Sequence, residues 1–203
     1  MAVKDPKLDL LIVESARKEF LRSGYRKASL RKIAEQAGIT TGALYTRYES
    51  KDALFRSLLQ EFIDVVDNET QPMNEQYALA LKTGDPMKFL AAVQREEEFY
   101  ADVMEKYYDE CVMLICKGEG SSLEQMLENF KAQKIAEMTN VLKKLAKPDA
   151  NLDGVELLIA EQFTYYRMVL ERGTSAEESR AGMETVKNFL DAGWQDLFRK
   201  ILR

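Results

Sequence analysis

Apolar positions recur at spacings of three and four along almost the whole 203-residue chain, and no stretch alternates with period two. The pattern predicts an all-α protein. Leu8, Ile12, Ala16 and Phe20, flanked by Leu11, form the first stripe, opened by Asp5 as N-cap and Pro6 in the first turn. Gly24 suits a left-handed C-cap that closes this helix near residue 23, with Tyr25 packing back on Phe20 in a Schellman contact. Ser29 caps a short second helix carrying Leu30, Ile33, Ala34 and Ala37, and Gly38 ends it. Thr40 caps a third, with Ile39 before the cap and Leu44 after it placed as a hydrophobic staple; Leu44 and Tyr48 point inward. Ser50 opens a fourth, whose core stripe is Leu54, Phe55, Leu58, Leu59, Phe62 and Val66.

Beyond it, Pro72 and Gly84-Asp85-Pro86 bracket a short helix with Tyr77, Leu79 and Leu81. Asp85-Pro86 starts a longer helix towards Cys116, which Gly118 and Gly120 break. Ser121 to Glu124 and Ser175 to Glu178 are capping boxes. The first opens a helix to about Ala146 and the second the last helix, to about Leu202; between them a helix runs from Leu152 or Asp153 to Gly173. These boundaries suggest a small N-terminal domain over residues 1–49, a connecting helix over 50–72 and a larger helical domain over 73–203.

Two short helices joined at Gly38, the second capped by threonine, form a helix-turn-helix. The second helix of that motif presents its N-terminal residues to base edges in the major groove. Thr41, Gly42, Tyr45 and Thr46 face outward: Gly42 lets backbone approach DNA, and Thr40 and Thr41 supply hydroxyls and methyls. Tyr45 reaches a phosphate, Arg47 adds charge, and Ser29 at the start of the second helix joins the set. Ser50-Lys51 brings a helix N-terminus and an ammonium to one point, a phosphate clamp. Charge agrees: through Arg56 there are 12 Lys and Arg against 7 Asp and Glu, whereas the remainder holds 17 against 27.

The stretch "IVESARKEFLRSGYRKASLRKIAEQAGITTGALYTRYESKDALFRSL" resembles the DNA-binding domain of the tetracycline-repressor (TetR) family of bacterial regulators. The resemblance rests on Gly24-Tyr25, the helix starting at Ser29, Ala37-Gly38, Gly42-x-Leu44-Tyr45 and Ser50-Lys51. It implies an all-helical, two-domain homodimer whose C-terminal domain binds a small-molecule effector and dimerises through its last two long helices. There are departures. Thr40-Thr41 stand where the family often has Ser-Lys, and Ala43 where it often has threonine. Tyr45-Thr46-Arg47-Tyr48 replaces the common Tyr-x-His-Phe, so Arg47 takes over a histidine's phosphate contact.

The chain has no histidine, which removes the usual triads and imidazole acid–base chemistry. Cys111 and Cys116 lie in apolar surroundings with no base set beside either, which argues against a thiol enzyme. No signal peptide or membrane span is legible and no cofactor is implied, so a cytoplasmic, non-enzymatic protein is expected. Phe99, Met104, Tyr107, Tyr108, Cys111, Met113, Leu114 and Phe130 are candidates to line an effector pocket, with Glu96, Glu97 and Glu98 able to attract a cation. Phe163, Val186, Phe189, Leu190, Gly193, Trp194, Leu197 and Ile201 are candidates for the dimer interface, since the last two helices are apolar on more than one side. The reading is therefore a ligand-responsive regulator, most simply a repressor on a near-palindromic double-stranded DNA operator. The alternative is a helical sensor acting through a protein partner without DNA.

Overall fold

A computed structural model describes residues 6–173 and 175–202, so the expected N-cap Asp5 lies outside the described residues. Among these, nine α-helices follow one another: α1 (Pro6–Lys27), α2 (Leu30–Gln36), α3 (Thr41–Arg47), α4 (Lys51–Thr83), α5 (Pro86–Lys106), α6 (Tyr108–Cys111), α7 (Ser122–Leu145), α8 (Val155–Arg172) and α9 (Ala176–Ile201). A π-helical turn, Val112–Cys116, follows α6. The long helix expected over 86–116 is thus divided: Tyr107 leaves helical geometry at φ −116° and ψ 41°. The expected break at Pro72 is absent, and α4 runs through it. Pro72 is exposed, so the carbonyl it leaves without a helical donor faces water.

The chain forms two compact units. The first joins the residues up to Ile63 with Asp109–Leu127; the second joins Asp64–Tyr108 with Glu128 onward. In the first, Ile12, Ala16 and Phe20 of α1, Ile33 of α2, Leu44 of α3 and Leu54, Phe55 and Leu59 of α4 are buried, as are Met113 and Leu123 of the later segment. Phe20 meets Phe55 edge-on at 4.9 Å, and Tyr25 stacks on Phe20 at 6.2 Å, the contact expected across Gly24. The Schellman hydrogen bonds, however, form at Gly38. There the Ile39 N–H reaches the Ala34 carbonyl at 2.9 Å and the Gly38 N–H reaches Glu35 at 3.1 Å. At Gly24 the backbone is extended after a positive φ of 70°, and the Tyr25 N–H donates instead to the Lys117 carbonyl at 2.7 Å.

The later segment is held to the first unit by polar contacts at α7's N-terminus. Asp52 of α4 accepts the Ser122 N–H at 2.9 Å and its hydroxyl at 2.7 Å. The first capping box is accordingly rearranged: Glu124 accepts the Gly120 N–H at 2.7 Å while the Ser121 hydroxyl donates to the Gly118 carbonyl. The second forms its expected bond, Glu178 N–H to the Ser175 hydroxyl at 3.2 Å. In the second unit, Tyr77, Phe89, Leu142, Leu145, Ile159 and Phe198 centre the core, with Phe89 edge-on to Phe198 at 5.6 Å.

Candidate nucleic-acid interface

α1 determines where α2 begins. Glu19 of α1 is buried and accepts the Ser29 N–H at 3.2 Å, while Arg22 pairs with its other oxygen. Burial pushes the Glu19 carboxyl up, but the Ser29 N–H and the Arg22 guanidinium outweigh it and hold the group below its usual range. Ser29 then caps α2, its hydroxyl accepting the Lys32 N–H at 3.4 Å. Two residues after the Gly38 turn, Thr40 caps α3 by accepting the Ala43 N–H at 3.1 Å. With Leu44 anchored in the core, Thr40, Gly42, Tyr45 and Thr46 are exposed and Thr41 is half-buried. The Thr46 hydroxyl donates to the Gly42 carbonyl at 3.0 Å, which turns its methyl outward.

Gly42 has no internal reason to be glycine. A Cβ built there meets only the Thr40 hydroxyl, at an ordinary 3.8 Å. In the first turn of an exposed helix glycine costs roughly 0.5–1 kcal/mol relative to alanine. What it provides is a bare backbone on the outer face.

Arg47 and Lys51 are engaged within the protein. Arg47 Nε lies 3.0 Å from Asp9 Oδ1 and ties α3 to α1. The Lys51 ammonium donates to the carbonyls of Tyr25 at 2.8 Å and Arg26 at 3.2 Å, and sits 4.6 Å from the centre of the Tyr25 ring. It thus satisfies carbonyls at the C-terminal end of α1 and keeps one N–H for an outside acceptor. Arg17 and Arg26 pair with Glu110 and Glu119 of the later segment. By contrast Lys18, Lys27, Arg31 and Lys32 are exposed and carry no ion pair among the described residues. Sequence reasoning had passed over these four, because which cations are neutralised is decided by tertiary contacts.

The effector candidates are divided between the units. Cys111, Met113 and Leu114 are buried in the first, and burial followed by the Glu110 charge pushes the Cys111 thiol up to about 12. In the second, Phe99 adjoins Tyr100, Phe130 lies edge-on between Tyr100 and Phe163 at 6.5 Å from each, and Met104 is half-buried. Tyr107 is buried, and the Tyr108 hydroxyl donates to the Gly173 carbonyl at 3.2 Å. Of the dimer candidates, Phe189 is 75% exposed and Gly193 opens on space. Val186 and Leu190 are half-buried, Trp194 and Leu197 lean on their own unit's core, and Ile201 is only 4% exposed within it. The end of α9 turns inward because the Lys147 N–H bonds the Ile201 carbonyl at 2.7 Å. Leu158 of α8, on the apolar face expected of that helix, is exposed, and so are Leu157, Tyr165 and Met168, which the sequence pattern does not mark. Among the described residues no group of three or more acidic, cysteine or histidine side chains could hold a metal, and no helix is long and apolar enough to cross a membrane.

A glycine-bearing recognition helix, capped by threonine and flanked by unpaired cations, defines a helix-turn-helix DNA-binding protein. Residues 12–58 match the family model of the bacterial regulatory proteins of the tetR family. The chain is 25% identical over 159 residues to the HTH-type transcriptional repressor KstR2 of Mycobacterium tuberculosis, covering 74% of each. It is 24% identical to the HTH-type transcriptional regulator TtgR of Pseudomonas putida, over 90% of this chain and 87% of that one. Its fold is similar to the crystal structure of a TetR-like transcriptional regulator from Rhodococcus, with TM-score 0.56 and 19% identity over 92% of this chain and 96% of that one. Residues 12–58 are therefore the tetR-type DNA-binding domain of a transcriptional regulator.

Proposed function

We propose that the protein is a homodimeric repressor that holds a near-palindromic operator and releases it when a small molecule occupies the second unit. The observation that carries the DNA reading is the outer face of α3, where Gly42 leaves backbone bare beside Thr40, Thr41 and Tyr45 although nothing inside the protein requires a glycine. In this reading Thr41 and Tyr45 meet bases and phosphates, and Ser29, Thr40 and Thr46 shape the two helices that carry them. Lys51 gives its remaining N–H to a phosphate, Arg47 braces α3, and Arg31 and Lys32 supply free charge. Two copies place their α3 helices about 34 Å apart, one turn of B-DNA.

The dimer in this proposal forms through α8 and α9, with Phe189 and Gly193 outward and Val186 and Leu190 beside them. Phe163, Trp194, Leu197 and Ile201 back that face from the core side. The effector lies among Phe99, Met104, Tyr107, Tyr108 and Phe130, while Cys111, Met113 and Leu114 pack the segment that follows. Emptying an operator from nearly full occupancy requires the effector to prefer the released state by about 5 kcal/mol. A repressor working on chromosomal DNA acts in the cytoplasm.

Selection of bound DNA from a random pool, followed by a salt titration of the winner, tests the reading. The expected result is an inverted repeat whose binding weakens steeply with salt. Enrichment of nothing would favour a sensor that works through a protein partner.

A further inference from the structure

The chain's two cysteines, Cys111 and Cys116, frame the one π-helical turn among the described residues. Cys111 is the N-cap residue of that turn, Val112–Cys116, so its carbonyl accepts the first i→i+5 bond, whose donor is the Cys116 N–H. The turn type decides whether the two side chains can meet. In a regular α-helix, side chains five apart point about 140° away from each other. The wider π-turn returns positions i and i+5 to one stripe, at about the Cα separation a disulfide spans, roughly 4.4–6.8 Å. Both cysteines are free thiols. Cys111 is 2% exposed, and Cys116 is half-buried. Burial, and then the charges of Glu110 and Cys116, push the Cys111 thiol up, so Cys111 stays protonated and Cys116 is the sulfur that meets an oxidant.

The turn is pinned at both ends and meets α1 at its exit. Before it, Arg17 of α1 holds Glu110 at 2.6 Å. After it, the Gly118 carbonyl accepts the Ser121 N–H at 3.0 Å and the Ser121 hydroxyl at 2.6 Å. A Cβ on Gly118 would lie 2.7 Å from the Leu114 carbonyl, so the exit is too tight to absorb a displacement. Between these anchors Lys117 directly follows Cys116, and its carbonyl holds the Tyr25 N–H at 2.7 Å. Tyr25 in turn stacks on Phe20, lies 5.2 Å from the Phe55 ring and gives its own carbonyl to Lys51. A change at Cys116 therefore reaches the junction of α1 and α2, just ahead of the Ser29 cap.

We propose that Cys111 and Cys116 are a reversible redox site: hydrogen peroxide joins them in a disulfide, and the closed turn loosens Tyr25 and weakens operator binding. The Cys116 sulfur attacks one peroxide oxygen, the O–O bond breaks, and the other oxygen leaves with the Cys116 proton as water. The Cys111 sulfur then displaces hydroxide from the Cys116 sulfenic acid, and its own proton completes a second water. The two sulfurs lose two electrons, which the peroxide gains. A reducing dithiol reverses the step by exchange and is itself left as a disulfide. The effect on DNA rests on the repressor reading; the disulfide does not.

The test treats the full-length protein, reduced and then freed of reductant, with hydrogen peroxide. Both cysteines lie in one tryptic peptide, residues 107–117. That peptide should emerge lighter by two hydrogens and closed to iodoacetamide, and dithiothreitol should restore two alkylable thiols. Exchange of the Tyr25 amide hydrogen should quicken at least tenfold in the oxidised protein. Affinity for the selected operator should fall at least fivefold and recover with dithiothreitol. Cys116→Ser should hold the operator equally well before and after peroxide; its binding before peroxide shows that it folds, and the wild-type measurements stand without it. A peptide that instead gains oxygen at Cys116, or a disulfide between two chains, overturns the proposal. So does a closed peptide with Tyr25 exchange and operator affinity unchanged. Closure with faster Tyr25 exchange, in a protein that ignores every operator whether reduced or oxidised, sinks the regulatory reading and leaves the redox site standing.

Discussion

At the scale of single residues, the proposed DNA-binding face is distinguished by what its side chains leave free. Arg31 is exposed with no ion pair among the described residues, whereas Lys51 already holds two carbonyls of α1. Arg31→Ala should therefore lower the slope of log affinity against log salt by about one and leave the melting temperature unchanged. Lys51→Ala should weaken DNA binding and also destabilise the fold by about 1–3 kcal/mol, since hydrogen bonds from a charged donor are lost. A salt titration and a melting curve on each variant separate the two roles; equal melting temperatures would remove Lys51 from α1. Gly42→Ala has the opposite signature. Its Cβ fits without a clash, so stability should rise by up to about 0.5–1 kcal/mol while operator affinity falls. Affinity retained at full strength would show that DNA does not approach that backbone.

At the scale of elements, the short helices of the first unit were legible because their signals are local. Ser29, Thr40 and Ser50 accept the N–H three residues on, and Leu44 is buried as its spacing requires. The longer helices were less legible. Pro72 reads as a stop, yet an exposed proline in a 33-residue helix interrupts only one solvent-facing hydrogen bond. Nothing in the sequence marks Tyr107 as the point where α5 ends, because a tyrosine there suits a helix equally well. The same limit applies to site residues. That Glu96 meets Lys134, or that Arg47 meets Asp9, depends on residues 38 positions apart in each case, and no local pattern carries it. The junction of α5 and α9 yields a pH prediction of this tertiary kind. Burial, and then the Asp191 charge, raise Glu97 from 4.5 to about 7 in the fold, so the folded state holds its proton more tightly than the unfolded chain. Stability gained this way is complete below about pH 4.5 and declines as pH rises towards 7. Glu97→Gln should flatten that decline and raise stability at pH 8, on the order of 1 kcal/mol, in melting curves across pH. An unaltered pH profile would mean that Glu97 titrates normally.

At the scale of the whole molecule, the proposed operator reading requires two copies, and in that proposal they meet through the outer surface of α9. Phe189 is the most exposed large apolar side chain among the described residues, at 75%, in a helix whose next turn presents Gly193 with open space around it. A lone exposed phenylalanine needs no explanation, but one on a face that also bears glycine, on a helix adjoining α8 with Leu157, Leu158, Tyr165 and Met168 uncovered, fits a surface that another chain covers. Phe189→Asp places a charge where the partner's side chains would exclude water, and it should shift the protein to monomer in sedimentation at micromolar concentration. Each monomer then holds one half-site, so affinity for an inverted repeat should fall by on the order of 10²-fold or more, while affinity for an isolated half-site stays the same. Leu79→Asp, on exposed α4 surface, is the control and should change neither quantity. Were Phe189→Asp to remain dimeric with full operator affinity, the α8–α9 face would not be the interface, and a different surface would have to set the spacing of the two α3 helices.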